Sequence, residues 1–239
     1  GFTAIDSLNF SVELGELRFI IGPNGAGKTT LLDLITGKTK PDHGRIVFDG
    51  GIDLTKRQEH DLVRLGIGRK FQTPSVFASL TVYENMELSI GFRSKLGQLF
   101  KSVNNEDSDR IAKALAMVRL VHRSDISAGV LSHGEKQWLE IGMLLVQDPK
   151  LLLLDEPVAG MTHRERMETG ELLNDIGNES AVVVVEHDME FVRQFARKIT
   201  VLHEGRVISE GSVETVGSDQ RVVKAYLGRS RALQSNTGN

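Results

Sequence analysis

The chain has 239 residues, of which 40% are hydrophobic, with no cysteine and a formal net charge of −3. The lack of cysteine excludes disulfide bonds and thiolate metal sites. The balanced charge lacks the basic excess of nucleic-acid-binding proteins, so we expect no nucleic-acid partner. Apolar runs such as residues 141–146 fall far short of the roughly 20 residues that a membrane-spanning helix needs. We therefore expect no transmembrane segment.

The first predicted strand, residues 16–21, leads into a glycine-rich turn. The turn reads GPNGAGKTT and is followed by the helix-compatible run LLDLI, so it matches the P-loop motif in its strand, turn and helix setting. Glycines leave backbone N–H groups open to phosphate oxygens, while Lys28 is predicted to reach the β- and γ-phosphates and Thr29 to ligate Mg²⁺. The motif predicts a nucleoside triphosphate site made of Gly22, Pro23, Asn24, Gly25, Ala26, Gly27, Lys28, Thr29 and Thr30.

The pattern changes after a second predicted strand at residues 45–48. Residues 82–90 and 111–121 carry apolar side chains at helical spacing, with no convincing strand between them. Residues 104–107 predict a loop. The segment at about 82–148 is therefore predicted to be a helical subdomain.

The last part of the chain returns to alternating strands and helices. Strands are predicted at residues 151–154, 181–185 and 200–202, and a helix at residues 163–176. The polar residues 228–239 predict a loosely packed or disordered tail. This alternation around a P-loop predicts a doubly wound α/β fold, and we expect one domain over residues 1–239.

Two acidic residues end the predicted strand at residues 151–154. Asp155 and Glu156 are expected at the carboxyl edge of the sheet, where ligands bind in such folds. We predict that Asp155 supports Mg²⁺ through a coordinated water and that Glu156 is the catalytic carboxylate that activates the attacking water. The alternative is that both residues only end the strand and cap the next turn of the chain.

Further motifs occur in a fixed order along the chain: RKFQ with Gln72, LSHGEKQ at residues 131–137, LLLLDEP with the acidic pair, and VVVVEHD with His187. Together with the P-loop, this set resembles the ATP-binding cassette (ABC) ATPases over nearly the whole chain, to about residue 227. The resemblance implies a P-loop NTPase core with an inserted α-helical subdomain and an N-terminal antiparallel β portion. ATP and Mg²⁺ are the implied cofactors.

The resemblance also implies roles for residues outside the P-loop. Ser132 and Gly134 would contact the ATP phosphates, His187 would contact the γ-phosphate and hold the water with Glu156, and Gln72 would approach Mg²⁺ and the water. A lone histidine after a strand is otherwise more often structural. The remaining histidines singled out are predicted to be surface residues: His43, His60, His122, His163 and His203.

The chain departs from the family's common motifs at three places. His133 replaces a glycine and Glu135 a glutamine in the signature, and residues 159–162 read AGMT where many members read SALD. The missing aspartate puts that loop's usual contact across the dimer in doubt, with Thr162 as a weaker substitute. In this family each ATP is held between the P-loop of one subunit and the signature of another.

The finer resemblance is to ATPase subunits of bacterial branched-chain amino acid importers, and most of all to those of urea importers, since the LSHGE form and Trp138 favour urea. It implies a second ABC ATPase subunit, identical or not, transmembrane permease subunits, an indirect solute-binding protein partner, and a peripheral position at the cytoplasmic face of the inner membrane. A branched-chain amino acid or short-chain amide importer, a soluble ABC ATPase outside transport and a module that binds nucleotide without hydrolysis stay open as alternatives.

The loop after Gln72 is predicted to dock a permease helix. Val76 and Phe77 follow Pro74 there, and exposed apolar residues at such a position indicate a binding surface. The alternative is that both side chains pack beneath the helical subdomain.

Overall fold

The computed structural model describes residues 3–70, 75–91 and 105–226. The strands are β1 Leu17–Ile21, β2 Val47–Phe48, β3 Ile52–Asp53, β4 Ile67–Lys70, β5 Leu151–Asp155, β6 Ala181–Val185, β7 Lys198–His203 and β8 Arg206–Gly211. The α-helices are α1 Lys28–Ile35, α2 Glu59–Leu65, α3 Val82–Gly91, α4 Asn105–Met117, α5 His133–Leu145, α6 His163–Ile176, α7 Met189–Phe195 and α8 Val213–Ser218.

Six strands form the main sheet in the order β4-β5-β6-β1-β7-β8, and β2 pairs with β3 in a small antiparallel sheet. All neighbours in the main sheet are parallel except β7 and β8. Strand β1 lies between β6 and β7, so the turn that follows β1 emerges in the middle of the sheet. Because parallel strands end at the same edge, the residues after β5 and β6 come out beside this turn.

The central strands are buried on both faces, which explains their continuous apolar sequences. Successive side chains of a strand point to opposite faces, and β1 shows this directly. Phe19 belongs to the hydrophobic core shared with α5, α6 and α7, whereas Ile20 belongs to the core shared with α1 and α2. The sheet is therefore covered by helices on both faces, as the sequence predicts.

Several predicted elements are confirmed with shifted ends. The predicted strands at residues 16–21 and 45–48 are shorter, and the one at residues 200–202 extends to Lys198–His203. The predicted helix at residues 163–176 coincides with α6. Strands β3, β4 and β8 were not predicted, because they are short or carry polar residues that break the apolar pattern.

The prediction of a loop at residues 104–107 is wrong for residues 105–107, which the structure describes. Residues 105–107 form the first turn of α4, which begins at Asn105, and residue 104 lies outside the described residues. Glu106 and Asp107 stand at the helix N-terminus, where carboxylates stabilise the unpaired N–H groups. The predicted tail at residues 228–239 also lies outside the described residues.

The segment between β4 and β5 contains α3, α4 and α5. These helices contact one another and share a hydrophobic core that includes Met86, Ile111, Leu115, Leu139 and Leu152 of β5. The inserted helices are thus continuous with one face of the sheet. Within the described ranges, no helix is both long and apolar enough to span a membrane.

Candidate functional site

The P-loop turn depends on glycines at two close backbone approaches. Gly22 has a φ of 153° and Gly27 a φ of 102°. Residues other than glycine rarely adopt these angles. A Cβ atom at Gly22 would collide with the backbone oxygen of Leu202, and one at Gly27 would lie 2.8 Å from the oxygen of Ala4. No side chain at these two positions therefore covers the backbone N–H groups at the start of α1, where a helix N-terminus favours anions.

The side chain of Lys28 lies back across this turn. Its Nζ donates to the backbone oxygen of Gly22 at 2.7 Å and to that of Pro23 at 3.3 Å. Thr29, the next residue, is exposed. A cation folded over a cradle of backbone amides, with an exposed hydroxyl beside it, is suited to the phosphates of a nucleotide.

Two adjacent strand ends bring the predicted catalytic residues to this edge of the sheet. Asp155 ends β5, Glu156 follows it, and His187 lies two residues after β6. The N–H of Glu156 donates to Val185 at 2.9 Å, which ties the two strand ends together. His187 Nδ1 then lies 3.3 Å from Glu156 Oε1, with the histidine side chain 64% exposed and the glutamate 29%. The pair is assembled and open to solvent.

Glu156 and Asp155 point differently although they are neighbours. Glu156 has a positive φ of 49°, whereas Asp155 is within β5 and only 4% exposed. Burial raises the pKa of Asp155, and repulsion from Glu156 and Asp33 raises it further. The positive charges of Arg69 and Lys28 act in the opposite direction. Among the described residues, Asp155 Oδ1 is a buried oxygen with no hydrogen-bond donor.

Glu186 is a site residue that the sequence motifs do not predict. It is 1% exposed, and its carboxylate accepts N–H groups from Val158 at 3.3 Å, His187 at 3.1 Å and Asp188 at 3.4 Å. Burial raises its pKa despite these three donors. Glu186 thus fixes the loops that carry Glu156 and His187. The signal in the sequence was an acidic residue directly after the apolar run VVVV.

The signature turn begins α5 with a capping box. Ser132 Oγ accepts from the N–H of Glu135 at 3.1 Å, and the Glu135 carboxylate accepts from the N–H of Ser132 at 2.8 Å. Glutamate and glutamine both suit this reciprocal cap, so the departure at position 135 keeps the cap. Ser132 Oγ also donates to Glu165 Oε1 of α6 at 3.3 Å, and a Cβ at Gly134 would collide with the same carboxylate. Ser132 and Gly134 therefore contact α6.

The other predicted residues have mixed outcomes. Gln72 lies outside the described residues. Thr162 caps α6, and its hydroxyl donates to Glu165 at 2.8 Å. Of the histidines predicted to be at the surface, His203 is half-buried. The exposed ones are His43, His60, His122 and His163.

Val76 and Phe77, for which docking to a permease and packing beneath the helical subdomain were the alternatives, lie in different environments. Val76 packs against the main hydrophobic core, whereas Phe77 is 46% exposed. The buried Asn85 accepts the N–H of Phe77 at 2.8 Å and donates to its oxygen at 3.1 Å. The backbone of Phe77 is therefore fixed while its ring faces solvent.

Comparisons with known proteins identify the family of this chain. A family model described as "ABC transporter" matches residues 5–159. A probable branched-chain amino acid transport ATP-binding protein LivG from Methanocaldococcus jannaschii is 35% identical, covering 95% of this chain and 92% of the relative.

Solved structures show the same fold. The ADP conformation of MJ1267, an ATP-binding cassette of an ABC transporter, has a TM-score of 0.81 and 34% identity over 95% of this chain and 93% of the other. A dimeric post-hydrolysis state of the cassette MJ0796 bound to ADP and Pi has a TM-score of 0.72 and 28% identity, covering 89% and 91%. The chain therefore belongs to the ABC transporter family and is one of its ATPases.

Proposed function

We propose that this chain hydrolyses ATP with Glu156 as the catalytic carboxylate and powers the uptake of a small solute. The observation that supports the catalytic assignment best is the approach of His187 Nδ1 to Glu156 Oε1 at 3.3 Å at the sheet edge that carries the P-loop. Glu156 takes the proton of the attacking water, and His187 orients that water and the γ-phosphate. Gln72 completes this set in the proposal.

The remaining site residues bind and orient the nucleotide. Lys28 exchanges its contacts with the Gly22 and Pro23 oxygens for the β- and γ-phosphates. The turn from residue 22 to residue 30 supplies the other phosphate contacts through its N–H groups. Each signature, through Ser132 and Gly134, contacts ATP held by another subunit.

The residues at the sheet edge fit a magnesium ion. No described residue donates to the buried Asp155 Oδ1, and an acceptor-only carboxylate of this kind suits Mg²⁺ or its bound water. Thr29 and Gln72 are the other proposed ligands. When bound, Mg²⁺ neutralises charge that develops on the phosphates.

The proposed assembly contains a second ABC ATPase subunit and two permeases at the cytoplasmic face of the membrane, supplied by a solute-binding protein. The dimeric state of MJ0796 supports pairing of cassettes. Phe77 supports a permease surface, because its ring is exposed on a backbone that Asn85 holds by two hydrogen bonds, five residues after Gln72 in the sequence. We propose that the whole chain, residues 1–239, is one ATPase domain with the helical subdomain at about 82–148.

For the solute, the relatives favour a branched-chain amino acid over urea. The relative from Methanocaldococcus jannaschii is named for branched-chain amino acid transport, whereas the urea assignment depended on the LSHGE form and Trp138. The structure gives Trp138 a packing role, since it is 8% exposed and its Nε1 donates to Thr169 at 2.8 Å. Urea is the second candidate on the strength of the LSHGE form.

Uptake by the reconstituted transporter tests this proposal. The chain is assembled with its permeases in vesicles, solute-binding protein and ATP are supplied on the appropriate sides, and labelled leucine and labelled urea are compared. ATP-dependent accumulation of leucine supports the favoured assignment, and accumulation of urea alone supports the second. ATP hydrolysis without uptake of any amino acid or amide would reject the importer role.

A further inference from the structure

A histidine that replaces the family's glycine joins the signature helix to the loop after Glu156. His133 is the first residue of α5, and its Nε2 lies 3.0 Å from the backbone oxygen of Ala159. Because a carbonyl oxygen only accepts, Nε2 carries the proton in this contact. The amide nitrogen of Gln137, one turn further along α5, lies 3.3 Å from the same nitrogen, and it makes no hydrogen bond there because both nitrogens carry protons.

The loop is shaped to receive the imidazole ring. Gly160 has a φ of 73°, and a Cβ atom there would lie 3.2 Å from Nε2 and 3.3 Å from Cδ2 of His133. Val158 and Met161, on either side of the contact, are buried at 4% and 9% exposure. The ring therefore packs against a turn whose flanking side chains are anchored in the core.

A short chain of hydrogen bonds connects His133 to Glu156. The N–H of Ala159 donates to the backbone oxygen of Glu156 at 3.2 Å, while the oxygen of Ala159 accepts from His133. Glu156 itself has a left-handed backbone conformation, which the surrounding contacts must maintain. On the other side of the loop, the N–H of Val158 donates to the carboxylate of Glu186 at 3.3 Å. The loop is thus held between a buried carboxylate and the imidazole of α5.

We propose that His133 is a positioning residue for ATP hydrolysis, which fixes the turn at Ala159 and thereby the direction of the Glu156 carboxylate. Two of the three departures from the family motifs, histidine in the signature and AGMT in the loop, meet in this one contact. The inference rests on the proposed catalytic role of Glu156. It requires that the effect of His133 on turnover pass through Glu156.

His133→Ala tests the proposal, with His163→Ala as the matched control. His163 is the first residue of α6, within the capping box of Thr162 and Glu165, as His133 is the first residue of α5, within that of Ser132 and Glu135. Both histidines are exposed. We expect His133→Ala to lower kcat on the order of tenfold, with the KM for ATP unchanged. His163→Ala should match the wild type in both. An unchanged kcat in His133→Ala overturns the proposal.

Two further measurements separate positioning from general destabilisation. His133→Gln, which offers an amide N–H to Ala159, should recover most of kcat, whereas His133→Leu should not. In a Glu156→Gln background, His133→Ala should cause no further loss, since a residue that acts through Glu156 is not additive with it. Equal losses in both backgrounds would overturn the proposal. A normal rate in Glu156→Gln alone would instead refute the catalytic assignment.

Amide hydrogen exchange tests the contact without turnover. The N–H of Met161 donates to the oxygen of Val158 at 3.2 Å inside the loop that His133 holds. This amide should exchange faster in His133→Ala than in His163→Ala, because local opening becomes easier. Equal exchange rates in the two variants would show that His133 does not hold the loop.

Discussion

His187 Nδ1 lies 3.3 Å from Oε1 of Glu156, although 30 residues separate them in the sequence. The register of β5 against β6 produces this approach, because Asp155 pairs with Val185 and each following residue leaves the sheet at the same edge. Glu186 then fixes both loops through their backbone N–H groups. The catalytic arrangement is a property of two adjacent strand ends and one buried carboxylate between them.

Lys28→Ala should weaken MgATP binding on the order of 10²-fold, since one charged contact to phosphate contributes about 1.5–3 kcal/mol. Titration with a fluorescent ATP analogue measures the change. Lys38→Ala is the control, because Lys38 is exposed and pairs only loosely with Asp33 at 3.7 Å. Equal affinity in Lys28→Ala and the wild type would remove Lys28 from the phosphate site.

Asp155→Asn should stabilise the nucleotide-free chain at neutral pH by about 1 kcal/mol. Burial raises the pKa of Asp155, so its ionised form opposes folding. This cost is absent at low pH, where the carboxyl is protonated, and appears as pH rises through the unfolded-state pKa towards the folded-state value. Denaturation by urea at several pH values should show that Asp155→Asn raises the free energy of unfolding, and that this increase becomes smaller towards acid pH.

MgATP should reverse the order of stability in the same experiment. The wild-type carboxylate is proposed to support Mg²⁺, so MgATP should stabilise it more than Asp155→Asn. Asp42→Asn, a change at an exposed aspartate, should show neither effect. Equal stabilisation of wild type and Asp155→Asn by MgATP would contradict the assignment of Asp155.

Glu140→Leu should lower the free energy of unfolding by about 3 kcal/mol. Glu140 of α5 lies 3.4 Å from Lys70 Nζ, and the two side chains are 9% and 0% exposed. Burial lowers the pKa of Lys70 and raises that of Glu140. Glu140 is the largest of the opposite charges that favour charged Lys70, ahead of Asp155 and Glu186. Lys70→Met combined with Glu140→Leu should recover part of the loss.

The exposed Arg119 and Glu171 pair provides the control for this measurement. Arg119 Nη2 and Glu171 Oε2 are 2.7 Å apart, and the two side chains are 44% and 59% exposed. Glu171→Leu should therefore lower the free energy of unfolding by less than about 1 kcal/mol. Additive effects of the two buried substitutions in denaturant unfolding would show that Lys70 and Glu140 do not interact.

Phe77→Asp should leave folding and ATP binding intact and uncouple the ATPase from its permeases. The ring is exposed on a backbone that Asn85 holds, so a charged side chain is compatible with the fold and incompatible with an apolar docking surface. Loss of uptake in vesicles, with normal thermal unfolding, is the expected result. Val76→Asp is the contrast, because Val76 packs against the core and its substitution should lower stability. Normal uptake by Phe77→Asp would reject this surface.

The sequence predicts the family and the doubly wound architecture more closely than it predicts the boundaries of the elements. The P-loop and the acidic pair were predictable because their chemistry needs fixed residue types at fixed spacing. Strand β4 was missed because Arg69 and Lys70 interrupt its apolar pattern, although Lys70 is fully buried against Glu140. That burial depends on a partner 70 residues away. Likewise, nothing in the local sequence joins His133 to Ala159, since only the packing of α5 brings them together.

Single-turnover phosphate release by Glu156→Gln tests the central assignment most directly. Glutamine keeps the size and hydrogen bonding of glutamate but does not take a proton, so release from prebound MgATP should fall on the order of 10² to 10⁴-fold with ATP affinity unchanged. Glu190→Gln, which removes an exposed charge three residues after His187, should release phosphate at the wild-type rate. Near-normal release by Glu156→Gln would contradict the assignment and move the catalytic role to another residue, with His187 next.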